Sequence, residues 1–387
     1  MHSPCLEVNK NHVKQKLILL LFLNEIVFSD IKLGMNKKCI VLTGGGTAGH
    51  VTVNINLQNE LKKHFDKVIY IGSENGIEKK LIQNQTPFTY TSIPTVKLVR
   101  RKVFKNLAIP FKLLKAVKEA KTILEKEQPC VIFSKGGYVG LPVVIAAKKL
   151  NIPVVCHESD FTMGLANKIA KKYANVICTN FESTAIKNGK KCVWTGMPLP
   201  MSNLSKNEAK EKLNIKTNKP VLLITGGSLG AKVLNEFVFK NIHELTKEYF
   251  VIHLVGKNNL NKNLILINYM QIEFSNDMKT IFKATDYAIS RAGANTIFEL
   301  LSNKILSIFV PLPKKVSRGD QIENALYLDK QGCAKALFQE DLTLKKVQNY
   351  LNFLKNNANI IKNQINFANF NDGTKNIINI ILQQKNT

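Results

Sequence analysis

The chain has 387 residues, enough for two ordinary domains with separate cores, and 45% of them are hydrophobic, as in a globular protein. Lys and Arg number 55 against 28 Asp and Glu, a formal +27; unless this only reflects a compositional bias, it favours a polyanionic partner such as nucleic acid, an anionic membrane or a phosphorylated substrate. The 7 cysteines are scattered with no C-x-x-C spacing, which indicates neither a zinc site nor a secreted disulfide framework and fits reduced thiols in a cytoplasmic protein.

Residues 17–23 read LILLLFL after Lys14 and Lys16, like the start of a signal peptide. No small-residue cleavage site follows, and the run is too short to span a bilayer as a helix. A second methionine, Met35, directly precedes the first good strand, so residues 1–34 read as an extension from an upstream start. No other stretch looks transmembrane.

From Met35 onward, short apolar runs alternate with longer amphipathic ones. Strands are predicted at 38–43, 68–71, 130–133, 152–156 and 175–179, with helices between them, for example at 107–126 and 164–173. A turn-rich basic stretch follows at about 196–219, and the same grammar restarts with strands at 221–225, 250–255, 286–289 and 305–310. Continuous apolar strands separated by helices mean a parallel sheet covered on both faces. The α/β chain therefore reads as two Rossmann-like halves in series, with helices in the Asn- and Lys-rich tail packing on them.

The chemistry-bearing motifs stand at strand ends. Gly44-Gly45-Gly46-Thr47-Ala48-Gly49-His50 follows the first strand. Its glycines formally satisfy G-x-G-x-x-G, which lets bare N–H groups approach phosphate at a helix N-terminus. Under a nicotinamide-dependent reading, Glu74 would be the ribose acid; under a purely structural one, the loop is a tight turn. His50, in a glycine loop at a cleft mouth, is a candidate general base. Ser134-Lys135-Gly136-Gly137-Tyr138 makes another glycine turn, and His157-Glu158-Ser159-Asp160 leads to Gly164 and Asn167. Glu158 and Asp160 could act as an acid and base pair.

In the second half, Gly226-Gly227-Ser228-Leu229-Gly230 formally matches a hydrolase nucleophile elbow. The only later histidines are His243 and His253, which leaves no late His for a triad, so a second phosphate-facing loop with Ser228 as donor is the better reading. Ser290-Arg291-Ala292-Gly293-Ala294-Asn295-Thr296 turns a strand into a helix, and Glu299 one turn later could accept two ribose hydroxyls or be an ordinary early-helix acid. Ser317-Arg318-Gly319-Asp320-Gln321 follows the last apolar strand. The sequence contains no Asp-x-Asp, so a diphosphate leaving group must be stabilised by backbone dipoles and side chains.

Seven collinear motifs resemble the MurG family: GGGTAGHV, IGSENGIEKKLI, FSKGGYVGLPVVIAA, HESDFTMGLANKIA, GGSLGAKVLN, ISRAGANTIFEL and SRGDQIENA. The resemblance runs from about Met35 to the end. It implies a GT-B fold, two Rossmann-like parallel-sheet domains facing a cleft. Residues 35–200 would be the acceptor and membrane-contact domain, 201–365 the UDP-sugar domain, and 366–387 a helix crossing back onto the first. It implies an inverting transfer of N-acetylglucosamine from UDP-N-acetylglucosamine to the C4 hydroxyl of MurNAc in undecaprenyl-diphosphate-MurNAc-pentapeptide (lipid I to lipid II), in peptidoglycan synthesis. Thr47, Ala48 and Gly49 would line the sugar-nucleotide site and Ser228 would face the diphosphate. Ala294, Asn295, Thr296 and Glu299 would hold the ribose and diphosphate, Gln321 would reach the N-acetylglucosamine, and Asn167 would lie near the acceptor. His50 resembles the family's proposed base, with Glu158 as the other candidate. No cofactor, metal or nucleic acid is implied, and the expected location is the cytoplasmic side of the cell membrane, as a peripheral protein. The chain departs from the family at Pro200, where Gly-x-Pro-x-Arg would place an arginine, and at Val53, where proline is usual. The basic segment 97–102 and the apolar residues through Leu114 suit either an anionic membrane surface or a solvated helix face.

Overall fold

In the computed structural model, described for residues 38–95, 109–200, 202–227 and 229–385, the apolar runs become strands buried on both faces. The chain runs β1 (Lys38–Thr43), α1 (Ala48–Asn56), α2 (Gln58–His64), β2 (Phe65–Ser73), α3 (Ile77–Gln85) and β3 (Thr89–Ile93). It continues through α4 (Ile109–Glu127), β4 (Val131–Ser134), α5 (Gly137–Lys149), β5 (Val154–Glu158), α6 (Leu165–Ala170), β6 (Val176–Thr179), α7 (Glu182–Asn188) and β7 (Cys192–Trp194). These strands form one parallel sheet of 7, ordered β3-β2-β1-β4-β5-β6-β7. The extension 1–34, the basic segment 97–102 and Ser228 lie outside the described residues.

After α8 (Lys206–Lys212) the second sheet begins. It is built from β8 (Val221–Thr225), α9 (Lys232–Glu248), β9 (Phe250–Leu254), β10 (Tyr269–Ile272), α10 (Met278–Ala284), β11 (Tyr287–Ser290), α11 (Ala294–Ser302), β12 (Leu306–Phe309), α12 (Asp320–Lys330) and β13 (Lys335–Ala336). Its 6 parallel strands are ordered β10-β9-β8-β11-β12-β13. Last come α13 (Leu344–Asn356), α14 (Ala358–Phe367) and α15 (Thr374–Lys385).

The strand order decides where ligands can go. Each sheet reverses direction of growth once, between β1 and β4 in the first and between β8 and β11 in the second. At such a point the flanking helices lie on opposite faces, which opens a crevice beyond the strand ends. The loops there are 44–47 and 135–136 in one half, and 226–231 and 291–293 in the other. The glycine-rich motifs therefore occupy the two crevices.

Four strands lie outside the expected set: β3, β7, β10 and β13. Their sequences, TYTSI, CVW, YMQI and KA, are short and half polar because each flanks a sheet and needs only partial burial. The expected strands 38–43 and 221–225 match β1 and β8, and the others shift by up to three residues at their ends, as cap chemistry rather than hydrophobicity sets the boundaries.

The tail divides its contacts. α13 and α14 rest against β12, while α15 lies against β4, β5 and α2 of the first half. The returning chain is sewn to the end of that half: Leu199 N–H donates to Asp372 Oδ1 at 2.9 Å, Gly373 N–H to the Met197 carbonyl at 2.9 Å, and Asn376 Nδ2 to the Thr195 carbonyl at 3.1 Å. A Cβ on Gly373 would come within 2.5 Å of Thr195 O, so only glycine lets the two backbones cross there. Aromatic rings join the halves at the same level. Phe161 stacks on Tyr327 at 4.5 Å between centroids, Phe181 meets Phe298 at 5.2 Å, and Phe298 meets Phe370 at 5.0 Å.

Candidate active site

The first glycine loop is crowded. A Cβ on Gly46 would lie 2.5 Å from the Tyr138 ring, and one on Gly45 would lie 2.7 Å from the Glu78 carboxylate. Glu78 is fully buried, and its Oε2 accepts the Gly46 N–H at 3.2 Å while Oε1 accepts the Ser73 N–H at 3.1 Å and the Ser73 hydroxyl. The helix that follows is capped internally, with His50 N–H donating to Thr47 Oγ1 at 3.4 Å. The protein's own carboxylate thus fills the loop that a dinucleotide phosphate would need. Glu74, the ribose acid of the nicotinamide reading, is exposed in the turn after β2. That reading is therefore not favoured, and the acid that matters here is Glu78.

What the crowded loop presents is His50. Its Nδ1 lies 2.7 Å from the Gly45 carbonyl. A carbonyl can only accept, so Nδ1 carries the hydrogen and Nε2 keeps its lone pair. Burial first, and the Lys135 charge second, push the His50 pKa down to about 4. The ring is therefore neutral at physiological pH and able to take a proton.

Glu158 is used differently. It is buried, and three donors hold it: Asp160 N–H at 3.0 Å on Oε1, and Gly164 N–H at 2.8 Å and Asn167 Nδ2 at 3.0 Å on Oε2. Asn167 also donates to the His157 carbonyl at 3.0 Å. Glu158 thus organises the turn 158–167. Asp160 pairs with Arg318 of the second half at 2.8 Å, and Asn324 Nδ2 donates to it at 3.3 Å. Burial, Glu158 and Asp320 push its pKa up, while Arg318 opposes them. Glu158 thus ties the turn together, and Asp160 links it across the cleft to Arg318 and Asn324.

The second-half glycine loop is crowded too, since a Cβ on Gly226 would lie 2.3 Å from Ala231 N and one on Gly230 2.1 Å from the Val255 carbonyl oxygen, but the start of α11 is open. α11 starts after Gly293, which supplies no side-chain cap, and a Cβ on Gly293 or Gly227 would meet nothing within 4 Å. Ala294, Asn295 and Thr296 stand in its first turn, where N–H groups lack helical acceptors and the dipole favours an anion. Asn295 Nδ2 donates to the Gly49 carbonyl across the cleft at 2.8 Å, so the ends of the two crevices touch. Thr47 is exposed, and Ala48 and Gly49 are partly exposed beside this contact. Glu299 lines a shallow hollow with Leu199, Pro200, Lys279 and Phe282. Burial pushes its pKa up to about 7. Gln321 is partly exposed and anchored through Oε1, which accepts the Leu312 N–H at 3.1 Å, leaving its amide nitrogen to donate elsewhere.

Two departures noted in the sequence have local explanations. Pro200 lines the hollow that holds Glu299, and the exposed Lys279 is a cation on the same wall. Val53 is buried inside α1. His253, set aside with the hydrolase reading, is a buried strand residue near Tyr269 Oη (2.9 Å) and Asn235 Oδ1 (3.1 Å).

Comparison with known proteins agrees with this arrangement. Residues 40–179 match the glycosyltransferase family 28 N-terminal domain, and residues 221–378 match the glycosyltransferase family 28 C-terminal domain. The chain is 46% identical over 349 residues to the UDP-N-acetylglucosamine–N-acetylmuramyl-(pentapeptide) pyrophosphoryl-undecaprenol N-acetylglucosamine transferase of Clostridium botulinum, covering 89% of this chain and 98% of that one. It is 46% identical over 352 residues to the enzyme of the same name from Clostridium tetani, with 89% and 98% covered. Among solved structures, MurG of Acinetobacter baumannii superimposes with a TM-score of 0.69 at 26% identity, over 89% of this chain and 99% of that one. The chain has the GT-B architecture and belongs to glycosyltransferase family 28 and, within it, to the MurG group of N-acetylglucosamine transferases.

Proposed function

We propose that the chain moves N-acetylglucosamine from UDP-N-acetylglucosamine to the C4 hydroxyl of MurNAc in undecaprenyl-diphosphate-MurNAc-pentapeptide. Residues 35–200 serve as the acceptor half and 201–365 as the donor half, with 366–387 closing back onto the first. The observation that supports this reading most is the Asn295–Gly49 hydrogen bond, which sets the loop bearing His50 against the helix bearing Glu299.

The donor lies along the second half. The first-turn N–H groups of α11 and the loop 226–230, with Ser228, face its diphosphate, and the Glu299 carboxylate accepts the ribose hydroxyls. Gln321 donates its free amide to the N-acetylglucosamine. Thr47, Ala48 and Gly49 close the site from the first half, and Asn167 lies toward the acceptor. The acceptor hydroxyl attacks the anomeric carbon from the face opposite UDP, and His50 Nε2 takes its proton. The new C–O bond forms as the bond to UDP breaks, its electron pair leaving with the diphosphate, so one displacement inverts the centre. Helix and loop dipoles stabilise the charge that develops there. His50 rather than Glu158 suits the base, because Glu158 already accepts three hydrogen bonds.

The acceptor's lipid tail requires a peripheral membrane contact on the cytoplasmic side. The first turns of α4 expose Phe111 (75%) and Leu114 (63%) beside Lys112, Lys115 and Lys118. Apolar side chains between cations suit an anionic headgroup region. Among the described residues no helix is long and apolar enough to cross a membrane.

The test is transfer of labelled N-acetylglucosamine from its UDP donor to the lipid-linked acceptor. A labelled, β-1,4-linked product is expected. Release of free sugar alone, or no turnover, would overturn the proposal.

A further inference from the structure

The loop that leads to His50 turns on one peptide bond, the one between Gly45 and Gly46. The carbonyl and the N–H of a trans peptide point to opposite sides of the chain. On one side the Gly46 N–H donates to Glu78 Oε2 at 3.2 Å. On the other the Gly45 carbonyl lies 2.7 Å from His50 Nδ1. The carboxylate and the imidazole are therefore joined through a single rigid plane, and the orientation of that plane settles which ring nitrogen carries the hydrogen.

The backbone alone does little to hold the plane. Both residues that flank it are glycines, and Gly46 stands at φ +83°. A half-turn of the plane takes this φ to the negative side, which glycine adopts as readily. The flipped peptide would aim the Gly46 N–H at the ring and the Gly45 carbonyl at Glu78. An N–H beside Nδ1 selects the other tautomer, with the hydrogen on Nε2 and no lone pair there for a hydroxyl proton. Glu78 opposes the flip, because its carboxylate repels a carbonyl oxygen and takes a charge-assisted hydrogen bond from an N–H.

The surroundings fit that task. Glu78 is fully buried in the first turn of α3, a helix with no side-chain cap, where the dipole favours an acid. Its other oxygen, Oε1, is anchored by the Ser73 N–H at 3.1 Å and by the Ser73 hydroxyl. A Cβ on Gly76 would come within 2.1 Å of Oε1, so the side chain rests on bare backbone. Across the plane, a Cβ on Gly137 would come 3.1 Å from both the Gly45 carbonyl oxygen and His50 Nδ1, which packs the second glycine turn over their hydrogen bond. The preceding peptide is held separately, by Tyr70 Oη donating to the Gly44 carbonyl at 2.6 Å.

We propose that Glu78 is a positioning residue for the transfer: it fixes the Gly45–Gly46 peptide and, through it, the tautomer that leaves His50 Nε2 bare. Glu78 touches no reacting atom and works only through the backbone. The catalytic use of this arrangement rests on the transferase reading; the control of the tautomer does not.

The test uses the full chain without substrate, its histidines isotopically labelled and the ring nitrogen shifts read by NMR at neutral pH, with His50→Asn identifying the signal. The parent should carry the hydrogen on Nδ1, and a parent with the hydrogen on Nε2 overturns the proposal. Glu78→Gln keeps the size of the side chain but offers one acceptor oxygen to the two Ser73 donors and the Gly46 N–H together. Glu78→Met offers none. In both, the Nδ1-protonated population should fall by roughly two- to ten-fold, the worth of one net hydrogen bond. Tyr70→Phe loosens the adjacent peptide and should leave the tautomer as in the parent. Should Glu78→Met fold poorly, Glu78→Gln carries the comparison. A parental tautomer in the Glu78 variants, or an equal shift in Tyr70→Phe, overturns the proposal, the second because it would make Glu78 one of several general supports of the loop. With substrates present, kcat should fall by the same factor as the Nδ1-protonated population while KM for the donor stays put. A shifted tautomer with unchanged kcat would overturn the catalytic role, and absence of any transfer by the parent would instead count against the transferase reading.

Discussion

The two halves carry similar glycine loops at equivalent points of similar sheets, yet the helices near them begin differently. In the first half Gly44, Gly45 and Gly46 are glycines because Lys135, Glu78 and Tyr138 leave no room for a Cβ, and Glu78 already accepts the Gly46 N–H. In the second half Gly226 and Gly230 are packed just as closely, against Ala231 and the Val255 carbonyl, whereas Gly227 and Gly293 border open space and α11 starts without a side-chain cap. A glycine-rich strand-to-helix turn is therefore no diagnosis of a phosphate site. What decides is whether the N–H groups are still unspent once the chain has folded. By that criterion the first loop is a mount for His50, the Gly227 and Gly230 N–H groups are spent on Thr225 Oγ1 and the Gly227 carbonyl, and the first turn of α11 is where we propose that an anion binds.

The largest effect that should follow from this division is on turnover. His50→Ala should lower kcat by about 10²–10⁴ while leaving UDP affinity measured by calorimetry unchanged. A matching loss of UDP affinity would mean that the first loop holds the donor after all.

Glu299 tests the other half. Glu299→Ala should weaken UDP binding by about 1–3 kcal/mol, as ribose hydroxyls lose a charged acceptor. The pH dependence has a definite sign. Burial holds the Glu299 pKa at about 7 in the empty protein, and ligand hydroxyls donate to the ionised form only. UDP affinity should therefore fall as pH drops below about 7 and level off above it. Glu299→Gln should flatten that dependence, and an unchanged slope in this variant would assign the titration to another group.

Paired glycine substitutions sharpen the contrast. Gly46→Ala forces a side chain into φ +83° and against Tyr138, so it should cost roughly 1–3 kcal/mol of stability. Gly293→Ala, at φ −70° with open space around it, should fold within about 0.5 kcal/mol of the parent yet bind UDP several-fold more weakly. Equal stability losses, read from urea midpoints, would erase the distinction.

The smallest expected effect lies at the surface. Replacing Phe111 and Leu114 together with serine should reduce sedimentation with anionic vesicles and leave folding unaltered. Binding equal to that of the parent would make the α4 face merely solvated.

How much of the fold and the site is legible in the sequence depends on the range of the contacts involved. The central strands are legible because Val, Ile and Leu runs such as VLLIT have no other use between glycine turns. The flanking strands are not, since KA or YMQI is apolar only on the side a neighbour happens to cover. His50 and Glu299 stand out through their motifs. Glu78 does not, because an acid in the first turn of a helix looks ordinary until a loop 32 residues earlier folds over it. Arg318 and Asp160, 158 residues apart, leave no mark in either local sequence.

Amide hydrogen exchange of the full chain with and without UDP tests the division of labour most directly. The account predicts new protection at residues 294–299 and unchanged exchange at 44–46, where Glu78 already holds the loop. Protection that appears at 44–46 and not at 294–299 would contradict it.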